Sequence, residues 1–254
     1  MTIWIAILYG IVQGATEFLP ISSSGHLVLL NLIFNVDGNF IFFSLLLHLA
    51  TLFAVLFVLR KQVFYLIKNP LCDLAKKLYI ATIPTVLIAL LFMELFKSSF
   101  SGAFLPICFM LTAFFLLLVE LYGTKKFFNP IKKKTAFFMG LAQGIAILPG
   151  ISRSGATIIT GLFSKGSRKE VSQFSFLMSI PIILASMAYE IFSYINSSTP
   201  IFDTPLVPTL TAFVFSFLVG IICVKFMINM LQKIKLYYFS IYLIIISIFS
   251  LFLL

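Results

Sequence analysis

Four residues of this chain combine types and spacing that suit chemistry on phosphate: Glu17, Ser23, His26 and Arg153. Arg153 stands in Pro149-Gly150-Ile151-Ser152-Arg153-Ser154-Gly155-Ala156-Thr157, a stretch that opens a helix after a Pro-Gly break. Free backbone N–H groups and the hydroxyls of Ser152, Ser154 and Thr157 then surround its guanidinium. The helix N-terminus supplies positive dipole and donors, and Arg adds a planar charged fork matched to phosphate oxygens. An arginine within an apolar region costs about 2.5–3.5 kcal/mol on insertion scales, which argues for an anionic partner. The structural alternative is an Arg153–Glu17 pair.

Ser23 and His26 belong to Leu19-Pro20-Ile21-Ser22-Ser23-Ser24-Gly25-His26 and are three apart, on one helical face. A hydroxyl beside an imidazole is the minimum for an activated nucleophile or for proton delivery to a leaving group. The alternative is a histidine that only hydrogen-bonds a neighbour. Gln13 and Glu17 are four apart and stack on one face of the preceding arm. An intramembrane carboxylate points to function, either as a metal ligand or as a partner of Arg153 or His26. His48, in the middle of an apolar run, reads either as a supporting residue behind the site or as a histidine with a purely structural role. Glu94, Glu120 and Glu190 lie near the ends of apolar runs, where snorkelling accounts for them.

The elements that must position these residues are membrane helices. At 61% hydrophobic and 10% charged over 254 residues, the chain has more apolar surface than a soluble domain of this size can bury. Runs long enough to cross about 30 Å of hydrocarbon fall near 41–59, 78–96, 103–122, 171–194, 207–231 and 236–254. Two further apolar regions, 3–35 and 135–164, are each broken by a Pro/Gly/Ser stretch and read as pairs of short helices meeting at an irregular tip. Met1-Thr2-Ile3-Trp4 lacks the basic start of a signal peptide, so no cleavage is expected. Cys72, Cys108 and Cys223 are far apart, lack metal-ligand spacing and read as packing.

The net charge of +10 is concentrated in short loops. Arg60, Lys61, Lys68, Lys76 and Lys77 share one, Lys125, Lys126, Lys132, Lys133 and Lys134 a second, Lys165, Arg168 and Lys169 a third, and Lys233 and Lys235 a fourth. That pattern reads as cytoplasmic loops rather than as a nucleic-acid surface. The connections 36–40, 97–102 and 196–207 hold a single basic residue, Lys97, and belong outside.

The two broken regions are copies: 10–25 aligns without a gap on 140–155, and seven of sixteen positions match, including Gln13/Gln143, Ser22/Ser152, Ser24/Ser154 and Gly25/Gly155. Small residues for close helix packing are the competing explanation, but they do not account for a matched Gln-Gly and Ile-Ser-x-Ser-Gly. The offset of 130 divides one membrane domain, 1–254, into repeats of about 1–122 and 135–254. Each is a broken hairpin followed by three crossings. Three is odd, so the second repeat is inverted and the two tips should meet near the midplane. The expected fold is all-α, with an inverted-topology repeat of six transmembrane helices and two broken re-entrant pairs.

The segment Gln13–His26 resembles the (Glu/Gln)-x-x-x-Glu and Ser-rich-Gly-His motif of the undecaprenyl-diphosphate phosphatase family, also called bacitracin-resistance proteins. Pro149 to Thr157 matches the second motif of that family, Pro-Gly-x-Ser-Arg-Ser-x-x-Thr, in full. Phe174-Ser175-Phe176-Leu177 and Pro181 extend the similarity over nearly the whole chain. The resemblance implies hydrolysis of undecaprenyl diphosphate for carrier-lipid recycling in peptidoglycan synthesis, in the bacterial inner membrane. It also implies a site open to the periplasmic side and a divalent cation, Mg²⁺ or Ca²⁺. By position, Ser23 becomes the nucleophile, His26 its proton-transfer partner, Glu17 a base or metal ligand, and Arg153 the clamp. Gln13, Ser22, Ser24, Gly25, Gly150, Ser152, Ser154 and Thr157 complete the substrate-binding set. Many relatives have Glu at the place of Gln13, and Ser44 stands where an acid is common, so the cation is expected mainly on the substrate's phosphates. The alternative from another class is a lipid-phosphate carrier or flippase without hydrolysis, because inverted repeats with broken helices also build transporters. No nucleic-acid partner is expected, and no signal specifies an oligomeric state.

Overall fold

The computed structural model describes residues 1–36, 39–122, 130–195, 205–230 and 233–254; Lys125, Lys126 and the stretch 196–204 lie outside the described residues. These residues form helices α1 Ile3–Thr16, α2 Ser23–Phe34, α3 Phe40–Val58, α4 Arg60–Lys68, α5 Asp73–Leu91 and α6 Met93–Ser99, and then α7 Leu105–Tyr122, α8 Lys133–Ile145, α9 Arg153–Phe163, α10 Arg168–Ile195, α11 Leu206–Met230 and α12 Tyr237–Leu253. No strand occurs among the described residues. Among the described residues five helices, α3, α5, α7, α10 and α11, are long and apolar enough to cross a membrane. The sixth expected crossing is α12, whose 17 residues rise about 26 Å at about 1.5 Å per residue. The chain is an all-α, multi-pass integral membrane protein.

Both broken regions are pairs of short helices, α1–α2 and α8–α9, interrupted at the expected tips. The restart is the same in each copy. Ser22 caps α2 by accepting Gly25 N–H at 3.3 Å, and Ser152 caps α9 by accepting Gly155 N–H at 3.0 Å. A serine before the first turn satisfies a donor that the helix leaves open, which is why Ser-x-x-Gly recurs.

Adding 130 to α1, α2, α3, α5 and α7 lands on α8, α9, α10, α11 and α12. The packing obeys the same exchange. α1 packs on α11 as α8 packs on α5, α3 on α11 as α10 on α5, and α1 on α2 as α8 on α9, while α3–α10 and α7–α12 pair equivalent helices across the repeats. Gly10 and Gly140 occupy equivalent places in this scheme: a Cβ at either would overlap the carbonyl of Ala212 on α11 or Ala81 on α5. One buried apolar cluster draws on both halves, joining Phe18, Val55 and Leu116 to Phe176, Val224 and Leu243. The outer surface is also apolar: Trp4 is 81% exposed, Leu91 76% and Phe252 84%, as a lipid-facing surface requires.

The structure departs from the sequence reading at helix ends. α5 begins at Asp73 and α10 at Arg168, so Lys76, Lys77, Arg168 and Lys169 are helical rather than in loops. Apolarity marks only the hydrocarbon-spanning part of a helix, and a helix continues into the headgroup region without penalty for charge. The run 78–96 is split at Phe92 into α5 and α6, and the basic stretch after α3 forms α4, with Phe64, Tyr65 and Ile67 exposed beside Arg60, Lys61 and Lys68.

Candidate active site

The site forms where the two tips meet. Glu17 follows the last turn of α1, its N–H bonded to Gln13 O at 3.0 Å, which turns its side chain toward the start of α2. Ser23, the first residue of α2, donates its hydroxyl to Glu17 Oε2. Arg153, the first residue of α9, donates through Nη2 to Glu17 Oε1. Gln13 Nε2 donates to Oε2 at 3.0 Å, and His48 Nε2 on α3 lies 3.4 Å from the same oxygen. The carboxylate is 1% exposed, whereas Arg153 and His48 keep 19% and 18% of their side chains accessible. A buried charge of this kind persists only when paired and hydrogen-bonded. Here four polar side chains, one each from α1, α2, α3 and α9, converge on one carboxylate group.

The tips are also laced directly together. Ser22 Oγ accepts Gly150 N–H at 3.1 Å, and Ser154 Oγ donates to Leu19 O at 2.8 Å. Gly150 adopts φ +94°, a left-handed conformation, and a Cβ there would sit 2.7 Å from Cys108 Cβ. Glycine is required on both counts.

A cavity of about 310 Å³ opens from this junction. Glu17, Ser22, Ser23, Ser24, Ser44, His48, Gln143, Ser152 and Arg153 supply its polar lining. Its walls are apolar side chains of α3, α5, α6 and α10, including Leu45, Leu90, Met93, Phe96 and Ile183. Lys97, Tyr189 and Glu190, at the ends of helices expected to face outside, also line it, with Lys97 Nζ 5.4 Å from the centre of the Tyr189 ring. Arg153 Nη1 is buried without a hydrogen-bond partner among the described residues. A buried unsatisfied donor on a guanidinium already paired through its other nitrogen is what an incoming phosphate oxygen would complete.

Several expected site residues are turned elsewhere. His26 does not meet Ser23. Its Nδ1 lies 2.7 Å from Ser22 O and its Nε2 2.7 Å from the hydroxyl of Tyr242, with the ring stacked on Tyr242 and edge-on to Phe109. The reason is directional: helical side chains lean toward the N-terminus, so the imidazole reaches the carbonyl four residues back and packs on α12, away from the cavity. Thr157 bonds back to Arg153 O at 2.9 Å and meets Ser175 Oγ at 2.6 Å, which ties α9 to α10. Gly25, Gly150, Ser154 and Gln13 build the junction without lining the cavity. Thr51 Oγ1, 3.5 Å from Gln13 Nε2, is an addition that its place in an apolar run concealed.

A protein-built metal centre does not fit this site. No group of three His, Cys, Asp or Glu side chains close enough to hold a metal ion occurs among the described residues. Both oxygens of Glu17 are taken by Arg153, Ser23 and Gln13, and Gln13 and Ser44 are neutral.

A family model described as "Bacitracin resistance protein BacA" matches residues 6–249. The chain is 41% identical over 241 residues to the "Undecaprenyl-diphosphatase" of Carboxydothermus hydrogenoformans, covering 93% of this chain and 92% of that protein. It is 37% identical over 263 residues to the protein of the same name from Alkaliphilus metalliredigens, covering 95% of each, and 35% identical over 246 residues to that of Parabacteroides distasonis.

Proposed function

We infer the function from one premise: the chain belongs to the bacitracin resistance protein BacA family. It is a membrane hydrolase that converts undecaprenyl diphosphate to undecaprenyl phosphate and inorganic phosphate. This returns the carrier lipid to peptidoglycan synthesis and underlies bacitracin resistance. The observation that carries the reading at the level of residues is the convergence of Ser23 and Arg153 on Glu17.

In our reading Ser23 Oγ attacks the terminal phosphorus while Glu17 takes its proton, because the hydroxyl is already directed at Oε2. The bond from that phosphorus to the bridging oxygen breaks, and undecaprenyl phosphate leaves. Water then attacks the phosphoserine, giving its proton to the surroundings as Glu17 returns the first proton to Ser23, and inorganic phosphate departs. Arg153 stabilises the phosphoryl group in flight through Nη1 and the start of α9 adds its dipole, the electrostatic help on which phosphoryl transfer chiefly depends. Gln13 and His48 keep the carboxylate oriented. Ser22, Ser24 and Ser152 supply hydroxyls around the phosphates. A divalent cation, Mg²⁺ or Ca²⁺, would be carried by the substrate's phosphates rather than by protein side chains and would offset their charge. The apolar walls of the cavity suit the first isoprene units, and the rest of the tail remains in lipid.

We place the protein in the bacterial inner membrane as a single domain of two inverted repeats, with the cavity facing the periplasmic side. The loop charges and the presence of Lys97 and Glu190 along the cavity support that orientation. No observation favours a carrier without hydrolysis, for which a serine hydroxyl aimed at a buried carboxylate has no use. Incubating the purified protein with a C55 diphosphate and measuring inorganic phosphate tests the function.

A further inference from the structure

The hydrogen-bond chemistry of His26 assigns it a state. Ser22 O is a carbonyl and only accepts, so Nδ1 at 2.7 Å carries the ring proton. The Nε2 lone pair then accepts the Tyr242 hydroxyl at 2.7 Å. Both nitrogens of a neutral imidazole are satisfied, and the ring is clamped between Tyr242, parallel within 5°, and Phe109. A histidine in this arrangement transmits position. It connects α12 to Ser22, the residue whose hydroxyl accepts Gly150 N–H from the other tip. Ser22 also has φ 68°, a strained value for a residue with a side chain, which persists only where neighbours impose it.

The second tip has its own brace. Thr112 Oγ1 on α7 shares its one proton between Cys108 O at 3.0 Å and Gly150 O at 3.2 Å and accepts Ser152 N–H at 3.2 Å. The repeat offset converts Thr112 into position 242 and Ser22 into Ser152. The last crossing of each repeat therefore reaches the tip of the opposite repeat from the same place, and α7 and α12 pack on each other through Ser240 Oγ to Ala113 O and Ser247 Oγ to Pro106 O.

We propose that Thr112 and Tyr242 are reciprocal positioning residues. Each sets one tip so that Ser23 and Arg153 meet Glu17 in register, and His26 is the relay through which Tyr242 acts. The proposal deepens the phosphatase reading and rests on it. An error of about 1 Å in aligning reacting groups costs on the order of 100-fold in rate, so loss of one brace should appear in the chemical step.

The test compares kcat and KM for C55 diphosphate in purified wild type, Tyr242→Phe, His26→Ala, the double variant, Thr112→Val and Thr112→Ser. Tyr242→Phe and Thr112→Val should lower kcat by about tenfold or more with KM within about twofold. Thr112→Ser, which keeps the hydroxyl, should stay near wild type. The double variant should be no slower than His26→Ala alone, since both changes break one chain of contacts. Wild-type kcat in Tyr242→Phe, or independent, multiplying losses in the double variant, overturns the proposal. Absence of phosphate release from the wild type would instead refute the phosphatase reading beneath it.

Discussion

Arg153 donates to Glu17 across the meeting point of the two tips, joining residues 136 apart in the chain. Equivalent positions in the two repeats have diverged to make this pair: Glu17 corresponds to Ile147, and Arg153 corresponds to Ser23. One repeat supplies the carboxylate and the hydroxyl, the other the guanidinium, so neither tip alone assembles the cluster. The pair also gives a largely buried arginine its counter-charge, while its Nη1 stays buried without a hydrogen-bond partner among the described residues.

Fork geometry gives the first prediction. Arg153→Lys keeps the charge but cannot bond Glu17 and phosphate through separate coplanar nitrogens. Loss of one charge-assisted hydrogen bond is worth about 1.5–3 kcal/mol, so kcat/KM should fall about 10- to 100-fold. Steady-state kinetics on purified protein check this, and near-normal turnover would mean that Arg153 acts only as a point charge.

The neutral residues Gln13 and Ser44 give the second. Our proposal that the cation arrives on the diphosphate predicts that EDTA abolishes turnover without lowering the protein's thermal stability. Mg²⁺ and Ca²⁺ should each restore activity, and the concentration needed should rise in parallel with substrate concentration. A tight, substrate-independent metal requirement, or a drop in Tm on chelation, would point to a resident metal site.

Much of this arrangement was legible before any coordinates. Broken periodicity located both hairpins, the matched Ser-x-x-Gly restarts located the tips, and the inverted repeat required them to meet. Glu17, Ser23 and Arg153 stood out by residue type and spacing, and the structure brings the three together. What stayed hidden depends on which helix becomes a neighbour. The i, i+3 spacing of Ser23 and His26 suggested a pair, but Ser22 O and Tyr242 compete for the imidazole and win it. Tyr242 lies in a nearly unbroken apolar run, where a tyrosine reads as a lipid-facing or interfacial residue. Applying the repeat offset to Thr112 would have singled it out only once the role of Thr112 was known.

Loop charge gives the third prediction. In a background lacking Cys72, Cys108 and Cys223, cysteines at Lys68 and Lys132 should resist an impermeant thiol reagent in intact cells. A cysteine at Ser98 should react. The reverse pattern would invert the orientation and turn the cavity toward the cytoplasm.

The central claim is that Ser23 and Glu17 act in bond breaking while Arg153 acts from the moment of docking, and it is tested by measuring phosphate release and C55 diphosphate binding on the same preparations of wild type, Ser23→Ala, Glu17→Gln and Arg153→Ala. The account predicts release by the wild type. It predicts kcat lowered by about 100-fold or more in Ser23→Ala and Glu17→Gln with affinity within a few-fold, and both quantities lowered in Arg153→Ala. A wild-type protein that binds the lipid diphosphate and releases no phosphate would contradict it.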